Sequence, residues 1–170
     1  MVKIASVLAA CILGCIGLDH SAADPLKAAV FDFELVDTSL DGEMNGTSEA
    51  ELQRVGLIGQ RLREALDASE RYQVVDIAPV REASLQSNLQ ACGACDRRFS
   101  EQLGADVSVT GVVHKVSNLI LNMSISVRDV QSGKFTEAYN VDFRSNSDDS
   151  WMRAVNWLLK NRLLRAEEQQ

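Results

Sequence analysis

The chain has 170 residues, 46% of them hydrophobic, and a formal charge of −7. That length suits one domain with a real core and is short for two. The acidic balance repels phosphate backbones and argues against nucleic acid as a partner.

The first 23 residues are expected to be a signal peptide rather than part of the fold. Met1-Val2-Lys3 is a short basic start, and Ile4 to Leu18 is a run of 15 residues without a charge, short for a membrane span. Ser21-Ala22-Ala23 places small residues before a cleavage point between Ala23 and Asp24. A competing possibility is lipidation. Leu8-Ala9-Ala10-Cys11 has the form of a lipobox and Ile12-Leu13-Gly14-Cys15 is a poorer copy, but the apolar run continues past Cys11 where a lipoprotein turns polar. No later stretch is long and apolar enough to span a bilayer, so residues 24–170 are expected to form one domain without a membrane span.

In that domain Leu26 to Val36 predicts a buried strand bounded by Pro25 and by a turn-rich loop, Asp37 to Thr47. Ser48 and Glu51 form a capping box that opens a helix through about Ser69, with Leu52, Val55, Ile58, Leu62 and Leu66 at helical spacing. Gly56 and Gly59 within it suggest close approach of helix to sheet. Tyr72 to Ile77 predicts a second strand, Pro79 opens a short helical stretch toward Leu89, and Asp96 caps a helix that Gly104 stops. Asp106 to Val116 is a third strand and Leu119 to Val130 a fourth, whose Leu119, Leu121, Met123, Ile125 and Val127 alternate with polar residues. Gln131-Ser132-Gly133-Lys134 is a hairpin turn into a fifth strand, Phe135 to Phe143, and Ser147 to Asp149 cap a last helix. The order β-α-β-α-β-β-β-α makes an α/β (α+β) domain: one mixed sheet, parallel at first and an antiparallel meander at the end, with helices packed on it.

Three sites stand out. Cys92-Gly93-Ala94-Cys95 is a lone pair in an exported chain, and a structural disulfide is the expectation. A redox centre is the rival, because a helix N-terminus lowers a thiol pKa; metal or free thiols come third, with His114 the obvious extra ligand. A thioredoxin-like site wants a strand directly before the pair and a facing proline, and no proline follows Pro79. In the loop, Asp37, Ser39, Asp41 and Gly42 match the first ligands and turn glycine of a calcium loop. The match fails at the last ligand position, where Ser48 stands in place of a glutamate, so an acidic, flexible turn ending at a helix cap is the expectation and a metal site the alternative. Trp151 is expected against the sheet and Trp157 at a groove or partner surface; His114 receives no role.

Val30-Phe31-Asp32-Phe33, Tyr72-Gln73-Val74-Val75-Asp76, Leu103-Gly104-Ala105-Asp106 through Thr110-Gly111, and Val127-Arg128-Asp129-Val130 into Ser132-Gly133 follow a distinctive order. That order resembles the envelope superfamily of the TolB N-terminal domain, the curli-secretion lipoprotein and the lipoprotein activator of penicillin-binding proteins. Lys115-Val116-Ser117-Asn118-Leu119-Ile120-Leu121, with the cysteines upstream and Ser150-Trp151 downstream, resembles an uncharacterised periplasmic domain-of-unknown-function family. The resemblance implies a periplasmic, non-enzymatic accessory module with an envelope protein partner and no cofactor. It carries over no catalytic motif and does not imply pore formation. A thiol–disulfide protein and a calcium-type module are the alternatives.

Overall fold

In the computed structural model, which describes residues 24–165, the apolar run from Leu26 forms two strands instead of one. The signal peptide, its cleavage point and both candidate lipidation cysteines lie outside the described residues. Strands β1 (Leu26–Val30) and β2 (Glu34–Asp37) both run parallel to one long strand, β4 (Val107–Ser117). Ala28–Val30 pair with Val107–Val109, and Glu34–Asp37 with Val112–Lys115. Between them Phe31 and Phe33 enter cores on opposite faces of the sheet. Continuous hydrophobicity cannot reveal such a break, because both halves and the two rings are apolar. Gly111 of β4 receives the Phe33 ring: a Cβ there would stand 2.3 Å from it.

The expected loop after β2 contains a short helix, α1 (Leu40–Asn45), capped by Ser39, whose Oγ accepts from the Gly42 amide. Helix α2 (Glu49–Asp67) opens on the expected capping box at Ser48 and Glu51. Its buried face is Ile58, Gly59, Leu62 and Leu66; Leu52 is exposed and Gly56 opens to empty space, so only Gly59 fits the close-approach reading. Strand β3 (Tyr72–Val75) pairs parallel with β1. A 3-10 turn at Ala78–Val80, with Pro79 in its first turn, leads into α3 (Arg81–Gln86). Helix α4 (Cys95–Gln102) starts one residue before Asp96, on left-handed Ala94 (φ 70°), so Asp96 is not its cap. Its carboxylate is drawn instead to Ser108 and Arg128, which compete better than the backbone at a helix start.

Strand β5 (Ile120–Asp129) and β6 (Phe135–Phe143) complete an antiparallel meander with β4, giving the order β3-β1-β4-β5-β6 with β2 beside β4. At the turn Ser132 N and Oγ both donate to Asp129 Oδ1, at 2.7 and 2.5 Å. Leu121, Met123, Ile125 and Val127 are buried as alternation predicts, while Leu119 is exposed at the hairpin tip. Helix α5 (Asp148–Leu158) runs on into a π turn at Leu159–Leu163.

Right-handed crossovers from β1 outward to β3 and from β3 back to β4 move in opposite directions, so their helices fall on opposite faces. Accordingly α2 and α5 bury one face, with Val30, Phe33, Leu62, Met123, Trp151 and Leu158 in its core. The segment from Ile77 to Ala105 packs Phe31, Val80, Leu89 and Cys95 on the other. Gly111→Ala forces the Phe33 ring to move and lowers stability by about 1–3 kcal/mol, to be measured by urea unfolding; an unchanged midpoint would refute the close approach.

Candidate functional site

Period-two alternation along β4 puts Val107, Val109, Gly111, Val113 and Lys115 on one face. Four of these are small or apolar; the fifth is a lysine with no exposed surface, on the same side as α2. Its Nζ donates to Glu51 Oε1 (2.6 Å) and Asp37 Oδ2 (2.9 Å) and stands 3.7 Å from Asp41 Oδ2. Asp37 is the register partner of Lys115 across the β2–β4 ladder, so strand pairing itself delivers the first carboxylate. Ser39 holds it, donating from N (2.9 Å) and Oγ (2.6 Å) to Asp37 Oδ1. Gly42 lets that carboxylate approach: a Cβ would lie 2.4 Å from it.

Glu51 has a double duty. Its Oε2 accepts from Ser48 N and Oγ, both at 2.8 Å, closing the capping box, while Oε1 accepts from Lys115 and from Asn146 Nδ2 (2.7 Å). Asn146 Oδ1 in turn accepts from Trp151 Nε1 (3.0 Å) and Arg54 Nη1 (3.3 Å), and its backbone N donates to Asn118 O. Burial raises the Glu51 pKa, but hydrogen bonds from Lys115, Ser48 and Asn146 outweigh it and hold the carboxyl at about 2. Burial likewise acts upward on Asp37 and downward on Lys115, and their hydrogen bonds reverse both: Asp37 lies below, and Lys115 above, its ordinary value.

Of the three side chains named for a calcium ion, two turn toward an ammonium instead. Asp37 and Asp41 face Lys115, and Ser39 spends its hydroxyl on Asp37 and the α1 cap. Among the described residues no group of three or more His, Cys, Asp or Glu side chains is arranged to hold a metal ion.

A second polar constellation sits on the opposite face. Cys92 and Cys95 are joined by a disulfide with Cα atoms 5.7 Å apart, Cys95 buried in the first turn of α4 and Cys92 half-buried ahead of it. Arg98 Nη2 lies 3.0 Å from Cys95 Sγ. Next in sequence, Asp96 Oδ2 accepts from Ser108 Oγ (2.6 Å) and Arg128 Nε (2.8 Å). His114 is exposed and apart from both groups. Trp151 is buried edge-on to Phe143, and Trp157 is partly exposed beneath the Arg162 guanidinium. A third cluster, Asp32 with Arg63 and Arg81, ties the β1–β2 break to α2 and α3. Sequence reasoning missed Lys115, Asn146 and the Asp96–Arg128 pair. The phase of Lys115 within an otherwise apolar alternation was the one signal that marked it.

The DUF3280 family model, described as "Protein of unknown function (DUF2380)", matches residues 26–163. No curated protein matches the chain. Among solved structures, the LpoB C-terminal domain from Salmonella enterica aligns with a TM-score of 0.51 at 13% identity, over 72% of this chain and 85% of that one. Lipoprotein GNA1162 from Neisseria meningitidis gives 0.51 at 16%, over 84% and 99%. PelC from Paraburkholderia phytofirmans, solved as a dodecamer, gives 0.51 at 11%, over 81% and 87%. The resemblance read from the ordered sequence phrases, to a family of unknown function, is borne out by this family match. At these identities the likeness to solved structures is one of fold.

Lys115→Met strands two buried carboxylates and costs about 3–5 kcal/mol in urea unfolding. Because Glu51 and Asp37 have folded pKa values below their unfolded ones, they stabilise the fold above the unfolded values, and that contribution is lost as pH falls toward about 2. Tm therefore drops across that acid window in the wild type, and the drop is shallower in Lys115→Met. Millimolar calcium leaves Tm unchanged, since the ammonium already holds the site; a rise in Tm would restore the ion-binding alternative.

Proposed function

We propose that this chain, which belongs to the DUF3280 family, is an exported, non-catalytic accessory module of the cell envelope that works by contact with a protein or ligand. The observation that carries this is how the ionised side chains are used. Lys115 is taken by Asp37 and Glu51, and Asp32 by Arg63 and Arg81, so these charges hold elements together. Catalytic carboxylates and lysines need a vacant side toward substrate. The fold it has in common with LpoB and lipoprotein GNA1162 supports the same reading.

Residues 1–23 are removed on export and residues 24–170 act as one domain in the periplasm, in this proposal. No helix among the described residues is long and apolar enough to cross a membrane. N-terminal sequencing of the exported protein is expected to begin at Asp24; a fatty-acylated Cys11 or Cys15 would replace the free module by an anchored one.

One observation favours a thiol–disulfide role. Arg98 and the start of α4 both face Cys95 Sγ and would stabilise a thiolate there. Against it, Cys95 is buried and packs with Phe31, Val80 and Leu89, where the bridge fixes the entry to α4. The bridge closes a very short loop, so replacing both cysteines by serine lowers stability by only about 1–2 kcal/mol. A melting curve and an insulin-reduction assay, on wild type and double mutant, separate the readings. Wild-type turnover abolished in the mutant would reject the accessory reading in favour of redox work.

A further inference from the structure

The open edges of the sheet are of unequal length. Strands β2 and β3 have four residues each, and β3 is partly closed by the end of α2, where Asp67 Oδ1 accepts from Val74 N (3.3 Å). Strand β6 has nine residues, none of them buried, and pairs with β5 alone. No backbone hydrogen bond from the rest of the described chain reaches it. An edge strand turns alternate N–H and C=O groups away from its neighbour, so one side of β6 is a row of donors and acceptors. Folded proteins block such a row with proline, lysine, a short strand or a covering loop. Phe135–Phe143 contains no proline and no lysine, and its one irregularity, beside Val127 and Arg128, leaves Glu137–Phe143 in regular register.

The side chains of β6 suit a second strand. Thr136, Tyr139, Val141 and Phe143 are β-branched or aromatic. Its two charges, Glu137 and Asp142, are engaged within their own chain. Glu137 pairs with Arg71, and Asp142 Oδ1 accepts from Asn122 Nδ2 (2.7 Å). On the face away from α5, Ala138 and Asn140 lie beside Ser126 and Ser124 and are exposed, so no bulky group bars a neighbour. An extended peptide of another protein would satisfy the same backbone row, but the sequence of β6 matches itself. A two-fold axis at Tyr139, the middle residue, lays a second β6 antiparallel along the whole strand. It sets Ala138 opposite Asn140, Glu137 opposite Val141 and Asp142 opposite Thr136, so no carboxylate faces a carboxylate.

We propose that β6 is an interface at which two copies of this chain pair edge to edge, antiparallel about Tyr139, into one continuous sheet. This goes beyond the accessory reading and does not rest on it. The test is sedimentation of the exported chain over a concentration series, with hydrogen exchange of the β6 amides at both ends of the series. A monomer–dimer equilibrium with a Kd of about 10–100 μM is expected, as suits a small interface, with exchange at Ala138–Val141 slowed as the dimer fills. Ala138→Lys with Asn140→Lys sets ammonium groups opposite each other on both sides of the axis and should raise Kd about ten-fold or more. Tm stays nearly unchanged, because both positions are exposed. Ala138→Asp with Asn140→Asp should weaken self-association likewise, and mixing the two variants should restore a dimer. A chain that stays monomeric to about 1 mM overturns the inference. So does a dimer that the lysine pair leaves intact, a failure of the mixed variants to associate, or β6 amides that exchange equally fast at both concentrations. Slow β6 exchange in a monomer also overturns it, by placing a segment of the same chain on the edge. Each of these outcomes leaves the accessory reading standing, since that reading falls to insulin turnover.

Discussion

The Lys115 ammonium is withdrawn from water at the end of the longest buried strand, and three segments are arranged around it. Removing a lysine charge from solvent costs several kcal/mol unless partners meet it at hydrogen-bonding distance. Asp37 comes from the strand beside it, Glu51 from the first turn of α2, and Asp41 from α1. Each depends on another local device: the β2–β4 register, the Ser48 capping box and the absence of a Cβ at Gly42. Through Asn146 the same group reaches the start of α5 and the indole of Trp151.

Strand β4 also carries the second polar tie, at its other end and on its other face. Ser108 near the start of the strand meets Asp96 and Arg128, while Lys115 near the end meets Asp37 and Glu51. Between these two points the strand is buried from Val109 to Val113, as a central strand covered by helices must be. The ties fix where α4 and α2 sit along the strand, which apolar packing alone leaves loosely specified.

Much of the fold was legible because it follows from periodicity and caps. The alternation of Leu121 to Val127, the Ser132-Gly133 turn and the Ser48–Glu51 box are local patterns with local causes. The division of the first strand was not legible, since Phe31 and Phe33 are apolar whichever face they enter. Leu52 and Leu119 misled because an apolar residue at the right spacing near an element's end need not reach the core. In the acidic loop the carboxylates of Asp37 and Asp41 face a cation. What composition could not supply was that the cation is a side chain 78 residues later in the chain. Asp96 was mistaken for a cap for a similar reason, its true partners being 12 and 32 residues away.

Because Lys115 is separated from Glu51 by 64 residues, the network carries a consequence for the order of folding. The meander β4–β5–β6 closes through short connections and can form early, when Lys115 is still hydrated. Stripping that hydration before α2 and the β2 end have arrived is unfavourable, so the docking of the first half onto β4 proceeds as a single concerted step. In the native state the same coupling runs backwards. Opening α2 exposes the lysine and releases the β2 end and the Asn146 turn together, so amides in Asp37–Leu52 and around Asn146 exchange with solvent as one cooperative unit.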